Sequence, residues 1–456
     1  MGQNENRSIG ITRDFPVRIG FHTLGCKLNQ YETEALASSF RGQGHVVVGS
    51  EEDAEAYIIN TCTVTGRADH KSRAVVRSLS RKHPASLLIV TGCSAQLEAQ
   101  ALSSLGENIL IVPQSSKGEL LALAERIAQA ADIREGLAQL REGSTPAARD
   151  PFAFRVNRLS FHTRAFLKVQ DGCDAWCAYC RVPLARGPSR SLGVDEVVRR
   201  AAELECLGHR EIVITGVNIS SYHSGDVLLP RLIAEVISAT HHARIRLSSL
   251  EPESLTEELA HSLSHDRVCA HFHIPVQSGS DSVLARMRRR YRIARVVEGV
   301  RLLRAAKEAP FVAADFIVGF PGETAEEHAE TSRLIETLRF AALHVFPFSP
   351  RPGTAAARLR PPVPQRVRDE RARELGAASR ALLDSYSRGW LGKEVHVLIE
   401  ADPWQRTARV AHGVSGNYLK VMVEDVPSAE KLRGRVIRAR LTRHGEVCKA
   451  AFLGFE

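Results

Sequence analysis

The sequence predicts a multidomain α/β chain: an N-terminal parallel α/β sheet domain, a central partial (β/α)6 barrel and a small all-β barrel at the C-terminal end. Three observations predict it. Short apolar runs alternate with helical patterns up to residue 133 and again from 165 to 346. A stretch of Gly136, Gly143, Ser144, Thr145 and Pro146 among charges separates the two series. Beyond Lys393 only short strand-like alternations occur, with glycines between them.

In the first series Val17–Leu24, Ala56–Asn60, Leu87–Thr91 and Ile109–Val112 read as strands. Asn29–Gly42 and Glu119–Ile133 read as helices. The second series offers six strands: Ala165–Val169, Glu211–Thr215, Arg244–Ser248, His271–Pro275, Val312–Val318 and Leu343–Phe346. Val194–Leu207 and Ala294–Glu308 are helical stretches among them. Six βα units are too few for a closed eight-stranded barrel and suit an open one, with ligands gathered at the carboxyl ends of the strands. A helix over Gln365–Leu391 leads into the tail, where Val395–Glu400, Ala408–His412, Leu419–Val423 and Val436–Leu441 alternate as strands and Gly413, Gly416 and Gly434 punctuate them. The predicted division is 17–133, a linker over 134–158, a core over 159–390 and the tail barrel over 391–455.

With 44% hydrophobic and 25% charged residues the composition is that of a globular protein. The net charge of +9 hints mildly at a polyanionic partner. Residues 1–14 are polar and lack a signal-like apolar stretch, and Asn6 breaks the myristoylation pattern after Gly2. No apolar run reaches membrane-spanning length, so a cytoplasmic protein without membrane attachment is expected. In that compartment nine cysteines favour metal ligands or core thiols over disulfides.

Cys173, Cys177 and Cys180 form C-x3-C-x2-C on a loop after the first central strand. Thiolates are soft ligands suited to iron–sulfur clusters, and three of them leave one iron of a four-iron cluster open. A structural zinc site with a distant fourth ligand such as His162 is the alternative, although no second C-x2-C knuckle exists. In the first series Cys26, Cys62 and Cys93 each follow a strand. If those strands are parallel neighbours, the thiols emerge at one edge and can share a cluster; three small buried hydrophobes is the equally weighted alternative.

The cysteine loop, with Tyr179 before its last cysteine, resembles the signature of radical S-adenosylmethionine enzymes. The resemblance implies an open iron that binds S-adenosylmethionine and reductive cleavage of that cofactor to a hydrogen-abstracting radical. The strand ends Thr215–Asn218, Ser248–Pro252, Pro275–Ser280 and Asp315–Glu323 follow in the family's order. They place Tyr179, Asn218, Ser249, Glu251, Gln277, Ile317 and Gly319 as cofactor-binding candidates.

From Val17 to Gly454 the order of parts resembles the methylthiotransferase family, whose tail is a TRAM domain, an RNA-binding β-barrel. That resemblance implies an auxiliary [4Fe–4S] cluster on Cys26, Cys62 and Cys93 and a radical [4Fe–4S] cluster on Cys173, Cys177 and Cys180. It implies S-adenosylmethionine as both methyl donor and radical source, with the two clusters serving one reaction. Leu24–Glu34, Ala185–Ser191 and Met287–Tyr291 look most like the branch acting on N6-threonylcarbamoyladenosine at tRNA position 37. The partners implied are a tRNA anticodon loop, an electron donor of flavodoxin or ferredoxin type and a sulfur source. Isopentenyladenosine tRNA and a ribosomal protein side chain are the alternative substrates; an iron–sulfur RNA-binding scaffold is the non-enzymatic alternative. Asp174, Arg181, Leu184 and Pro113–Lys117 depart from the family pattern.

Two basic groups suit RNA. One is Arg286, Arg288, Arg289, Arg290 and Arg292 around Tyr291; the other is in the tail, where Arg433, Arg435, Arg438 and Arg440 are the candidates. On a strand, Arg438 and Arg440 share one face while Ile437, Ala439 and Leu441 take the other. Cys206, Cys269 and Cys448 read as packing residues, and Gln30, Asn60 and Thr61 as either turn residues or contacts of a bound group.

Overall fold

The computed structural model describes residues 16–129, 133, 135, 150–156, 163–400 and 409–456. The chain divides into two compact units, Met1–Ser160 with Leu184–Arg186, and Phe161–Pro183 with Gly187–Glu456.

The first unit is built on a five-stranded sheet. Its elements are β1 (Arg18–Thr23), α1 (Lys27–Gly42), β2 (Val46–Gly49), β3 (Ala56–Thr61), α2 (Gly66–Lys82), β4 (Leu87–Gly92), α3 (Cys93–Leu97), α4 (Ala99–Ser103), β5 (Ile109–Ile111) and α5 (Glu119–Gln129). The strand order is β2-β1-β3-β4-β5, every pair parallel. Central β3 is buried along its whole length, as the near-continuous apolar run Ala56–Ile59 requires of a strand covered on both faces. The edge strand β2 is an addition to the sequence reading. Its Val-Val-Val run is partly exposed and shows no clean alternation. Residues 130–132 of the predicted helix 119–133 and most of the predicted linker lie outside the described residues; Ile133 is described and buried. The part of that linker that is described, 150–156, packs down: Phe152 and Phe154 are buried, and the Tyr31 hydroxyl donates to the Phe154 carbonyl.

In the second unit all six predicted central strands are present: β6 (Ala165–Lys168), β9 (Glu211–Thr215), β12 (Arg244–Leu247), β13 (His271–Gln277), β14 (Phe311–Val318) and β15 (Ala342–Pro347). They form two parallel sheets, β12-β9-β6 and β13-β14-β15. Two short antiparallel pairs decorate them, β7 (Gln170–Asp171) with β8 (Arg190–Ser191) and β10 (His223–Ser224) with β11 (Val227–Leu228). Side chains alternate faces along a strand. On β13 to β15 one face carries buried Phe272, Ile274, Val312, Ala314, Phe316 and Leu343. The other carries His273, Asp315, Ile317, His344 and Phe346, all only partly buried or exposed. In a βα barrel the apolar face takes the helices, so the polar face lines the lumen.

The tail is a closed barrel, β16-β17-β18-β20-β19, of β16 (Glu394–Ile399), β17 (Ala411–Ser415), β18 (Lys420–Glu424), β19 (Val436–Arg443) and β20 (Cys448–Phe455). The strand predicted at 408–412 runs later, and Ala408 lies outside the described residues. Gly413 is not punctuation: it sits inside β17, where a Cβ would lie 2.2 Å from the Leu398 carbonyl oxygen. Strand β20 has no counterpart in the sequence reading, yet it closes the barrel by pairing with both β18 and β19. The barrel core is continuous with the central sheets, since Phe311, Ala313 and Ala341 pack with Val395, Val397 and Ile437. Glu211 joins the two parts. It takes both Arg244 and Arg246 at 2.6 Å, and these guanidiniums donate onward to the Val414 and Ser415 carbonyls at 2.9 and 3.1 Å. Cys269 and Cys448 are buried as expected; Cys206 is exposed, because its helix Val194–Cys206 ends there and turns that position outward.

Candidate metal centres

In the first unit the register aligns Thr23 with Asn60, Asn60 with Thr91 and Thr61 with Gly92. Cys26, Cys62 and Cys93 therefore follow the carboxyl ends of three adjacent parallel strands. Cys26 caps the N-terminus of α1, and Cys93 opens α3. Gly25 and Gly92, at φ +101° and +98°, turn the chain where only glycine fits. A Cβ on Gly25 would lie 2.5 Å from the Cys62 sulfur, and one on Gly92 2.3 Å from the Thr61 carbonyl oxygen. Asn60 and Thr61 are structural ties: Asn60 Nδ2 donates to the Asn29 carbonyl at 3.0 Å and Thr61 Oγ1 to the Thr91 carbonyl at 2.6 Å.

Burial pushes the Cys62 thiol up to about 12, and the neighbouring Cys26 and Cys93 push it the same way. Burial also raises Cys93, against the pull of Arg186 and Lys117. The thiols are thus close enough to feel each other's charge, and they ionise when a metal displaces their protons. Beside them lies a network that the sequence reading missed. Glu32 is bound by Lys117 at 2.6 Å and by Arg186 at 2.9 Å, with side chains 0%, 1% and 3% exposed respectively. Lys117 also donates to Asn60 Oδ1 at 3.0 Å, and Arg186 to Asn29 Oδ1 at 3.0 Å. In this network two cations face one carboxylate, and the surplus positive charge suits a group held by three thiolates. Lys117 closes the segment Pro113–Lys117, whose start departs from the family pattern. Gly25→Ala is expected to displace Cys62 and lower the iron of the reconstituted protein from about eight to about four atoms per chain, read by iron assay.

In the second unit each sulfur of the C-x3-C-x2-C loop has a donor. The Ala175 N–H lies 3.5 Å from Cys173 Sγ, Arg289 Nη1 3.1 Å from Cys177 Sγ, and the Val182 N–H 3.4 Å from Cys180 Sγ. Burial pushes Cys180 up to about 12, and Cys177 and Cys173 add to it. Such donors stabilise sulfurs in the thiolate form that an iron–sulfur cluster needs. Gly172, at φ +72°, starts the loop against the Pro188 carbonyl; the Cys173 N–H donates to the Gly187 carbonyl at 3.1 Å, and the Ala178 N–H to the Met287 carbonyl at 2.9 Å. Gln170, also unforeseen, ties the loop to the next strand: Nε2 donates to the Gly172 carbonyl at 2.7 Å and Oε1 accepts from the Asn218 N–H at 2.7 Å.

The rim candidates divide. Glu251 pairs with Arg289, and burial pushes its carboxyl up to about 7 against that pairing. Ile317 and Tyr179 pack on the cluster of Ala178, Met287 and Phe320. Gln277 and Gly319 both have positive φ at the ends of β13 and β14, where the Gly319 N–H donates to Glu323. Two are otherwise engaged: Asn218 Oδ1 caps the turn at Ser220, and Ser249 Oγ bonds His273 Nδ1 at 2.6 Å. The basic run 286–292 is likewise divided. Arg289 serves the cysteine loop, stacks 4.8 Å from the Tyr291 ring and is largely buried, and Arg286 pairs with Glu327 at 2.6 Å. His162 lies outside the described residues.

On the tail barrel Arg433, Arg435, Arg438 and Arg440 are all exposed, and Ile437, Ala439 and Leu441 are buried, as the alternation requires. Arg438 pairs with Glu394 on the neighbouring strand. Its charge is therefore partly spent within the protein, a cross-strand neighbour that sequence spacing does not reveal.

Residues 18–112 match the family described as Uncharacterized protein family UPF0004, and residues 167–335 match the Radical SAM superfamily. The threonylcarbamoyladenosine tRNA methylthiotransferase of Treponema pallidum is 37% identical over 95% of this chain and 99% of its own. That of Bacillus subtilis is 35% identical over 94% of each. The tRNA-2-methylthio-N(6)-dimethylallyladenosine synthase of Ruegeria pomeroyi is 32% identical over 94% of this chain and 97% of its own. Among solved structures, the radical S-adenosylmethionine methyltransferase TsrM from Kitasatospora setae, with cobalamin and a [4Fe-4S] cluster bound, shares the fold at a TM-score of 0.53 and 14% identity, over 75% of this chain and 77% of that one. With two cysteine trios in place and relatives matched along nearly the whole length, the chain belongs to the radical-SAM methylthiotransferase family.

Proposed function

We propose that this enzyme converts N6-threonylcarbamoyladenosine at position 37 of tRNA to its 2-methylthio derivative. The family's cofactors, two [4Fe–4S] clusters and S-adenosylmethionine, would supply when bound the methyl group, an iron that carries the sulfur and the radical that removes hydrogen from adenine C2. The observation that carries the reading is the pair of cysteine trios, each at the carboxyl ends of parallel strands in its own unit.

In this reading Cys26, Cys62 and Cys93 hold the auxiliary cluster, with Lys117 and Arg186 balancing its charge. Cys173, Cys177 and Cys180 hold the radical cluster, their sulfurs fixed by Arg289 and by backbone N–H groups. Tyr179, Glu251, Gln277, Ile317 and Gly319 shape the rim for S-adenosylmethionine, with Asn218 and Ser249 supporting them. Arg433, Arg435 and Arg440 offer exposed guanidiniums to tRNA phosphates around the anticodon loop, and the target base is splayed out of its stack. A flavodoxin- or ferredoxin-type donor brings the electron, and a separate source brings the sulfur. No helix among the described residues is long and apolar enough to cross a membrane, and a tRNA substrate places the enzyme in the cytoplasm.

Nucleoside mass spectrometry of tRNA from a deletion strain tests this. The 2-methylthio derivative of threonylcarbamoyladenosine is expected to disappear, with its precursor accumulating. An unchanged level would refute the assignment, and loss of the dimethylallyladenosine derivative instead would redirect it.

A further inference from the structure

The lumen of the second unit is closed at its amino-terminal end. The Tyr418 ring from the tail barrel stacks on His271 at 3.9 Å between ring centres and lies 5.0 Å from the Arg246 guanidinium. The barrel core packs there against Phe311 and Ala313. A ligand therefore enters from the opposite rim, where Ile317 packs beside Tyr179 of the cysteine loop. One pleat below Ile317, about 7 Å deeper along β14, lies Asp315.

Asp315 is the centre of a cluster that the cysteine chemistry does not use. Its Oδ1 receives His273 Nε2 at 2.7 Å and His344 Nδ1 at 3.0 Å. His273 is fixed from behind by Ser249 Oγ. Burial pushes the Asp315 carboxyl up, but the bonds from both imidazoles outweigh it and hold it at about 2, so it is a carboxylate at neutral pH. His344 differs from its partners. Its side chain is 56% exposed, its Nδ1 is committed to Asp315, and among the described residues its Nε2 makes no hydrogen bond. Phe346, next on the same face of β15, is also exposed and offers a flat apolar wall toward the rim. The arrangement is an oriented imidazole, backed by a carboxylate, beneath an apolar wall on the lumen face of β14 and β15.

We propose that His344, oriented by Asp315 and His273, forms the subsite that receives a carboxylate-bearing N6 substituent of the substrate adenine. This rests on the functional reading above. An adenine presented at the rim by its C2 edge carries its N6 substituent away from the reacting atom and into the lumen. A carboxylate there meets the Nε2 edge of the His344 imidazole, while Asp315 holds the ring in place through Nδ1. An apolar substituent would instead leave that nitrogen desolvated without a partner, which is how a polar site rejects an apolar analogue.

The test uses the reconstituted holoenzyme and three anticodon stem–loops: one bearing threonylcarbamoyladenosine, one bearing the same substituent with its carboxylate converted to a carboxamide, and one bearing dimethylallyladenosine. His344→Ala is expected to lose about 30-fold in kcat/KM on the acid, mostly in KM, and less than about 3-fold on the carboxamide. The enzyme's preference for the acid over the dimethylallyl substrate should shrink accordingly. His344→Gln, which keeps the volume, replaces alanine if that variant loses iron. Equal losses on acid and carboxamide, or no loss on either, overturn the proposal. So does a divalent ion bound beyond the iron of the two clusters and released by His344→Ala, which would make the trio a cation site. If the unaltered enzyme ignores the acid substrate altogether, the functional reading itself fails, a result separate from any behaviour of His344.

Discussion

Replacing Cys26, Cys62 and Cys93 together by alanine is expected to halve the iron of the reconstituted enzyme, from about eight to about four atoms per chain, and to abolish methylthio transfer. The same variant is expected to keep cleaving S-adenosylmethionine to 5′-deoxyadenosine. Alanine at Cys173, Cys177 and Cys180 should remove the other half of the iron, and all 5′-deoxyadenosine with it. The asymmetry follows from the architecture. One trio is set by the register of β1, β3 and β4, the other by a loop tied to Gln170, Met287 and Arg289, and the two sets of ties share no residue. Iron assay and chromatography of the nucleoside product read both outcomes. Disappearance of 5′-deoxyadenosine in the first variant, with its remaining iron intact, would reverse the division of labour.

Glu211→Gln is expected to destabilise the second unit by about 3–5 kcal/mol, because it leaves two buried guanidiniums facing an uncharged amide. The side chains of Glu211 and Arg246 are both 0% exposed, and Arg244 is nearly buried. Burial pushes the Glu211 carboxyl up, but Arg246 and Arg244 outweigh it and hold it well below the ordinary carboxylate range. A carboxyl whose folded pKa is depressed contributes stability above its unfolded pKa and loses it as pH falls toward the folded one. Natural protein should therefore weaken progressively below about pH 4, and the glutamine variant should lack this component of the acid sensitivity. Thermal unfolding followed between pH 3 and 7 checks both parts. The midpoint at pH 7 is expected to fall on the order of 10 °C. Equal midpoints at pH 7 would mean that the two arginines find other partners.

Much of the fold was legible because strands buried on both faces leave unbroken apolar runs, and Ala56–Ile59, Leu87–Val90 and Ile212–Ile214 all became strands. Strand β20 was not, since Lys449, Ala450, Ala451 and Gly454 in Cys448–Phe455 have little intrinsic strand preference and the strand is held by ladders on both sides. The cysteines were legible by type and by position after strands. Their supporting groups were not. Lys117 lies 85 residues from Glu32, and Arg289 lies 112 residues from Cys177, so nothing local signals either pairing. Arg289 was instead grouped with the basic residues suited to RNA, because its sequence neighbours are basic. Ser249 was read as a cofactor contact from its place at a strand end, and its bond to His273 appears only when β12 and β13 are side by side.

The join made by Arg244 and Arg246 has a consequence for how a large substrate is handled. Those two side chains spring from a strand of the central sheets, and they grasp main-chain oxygens of the small barrel. The barrel is therefore a fixed jig rather than an arm on a flexible leash. If the tail binds tRNA as proposed, a nucleic acid held by such a jig would surrender its orientational freedom once, on arrival, with no second loss when a base is offered to the lumen. A chain ending at residue 390 would lose more than a binding surface: it would unroof Tyr418's seat on His271 and strand the arginines without their oxygens.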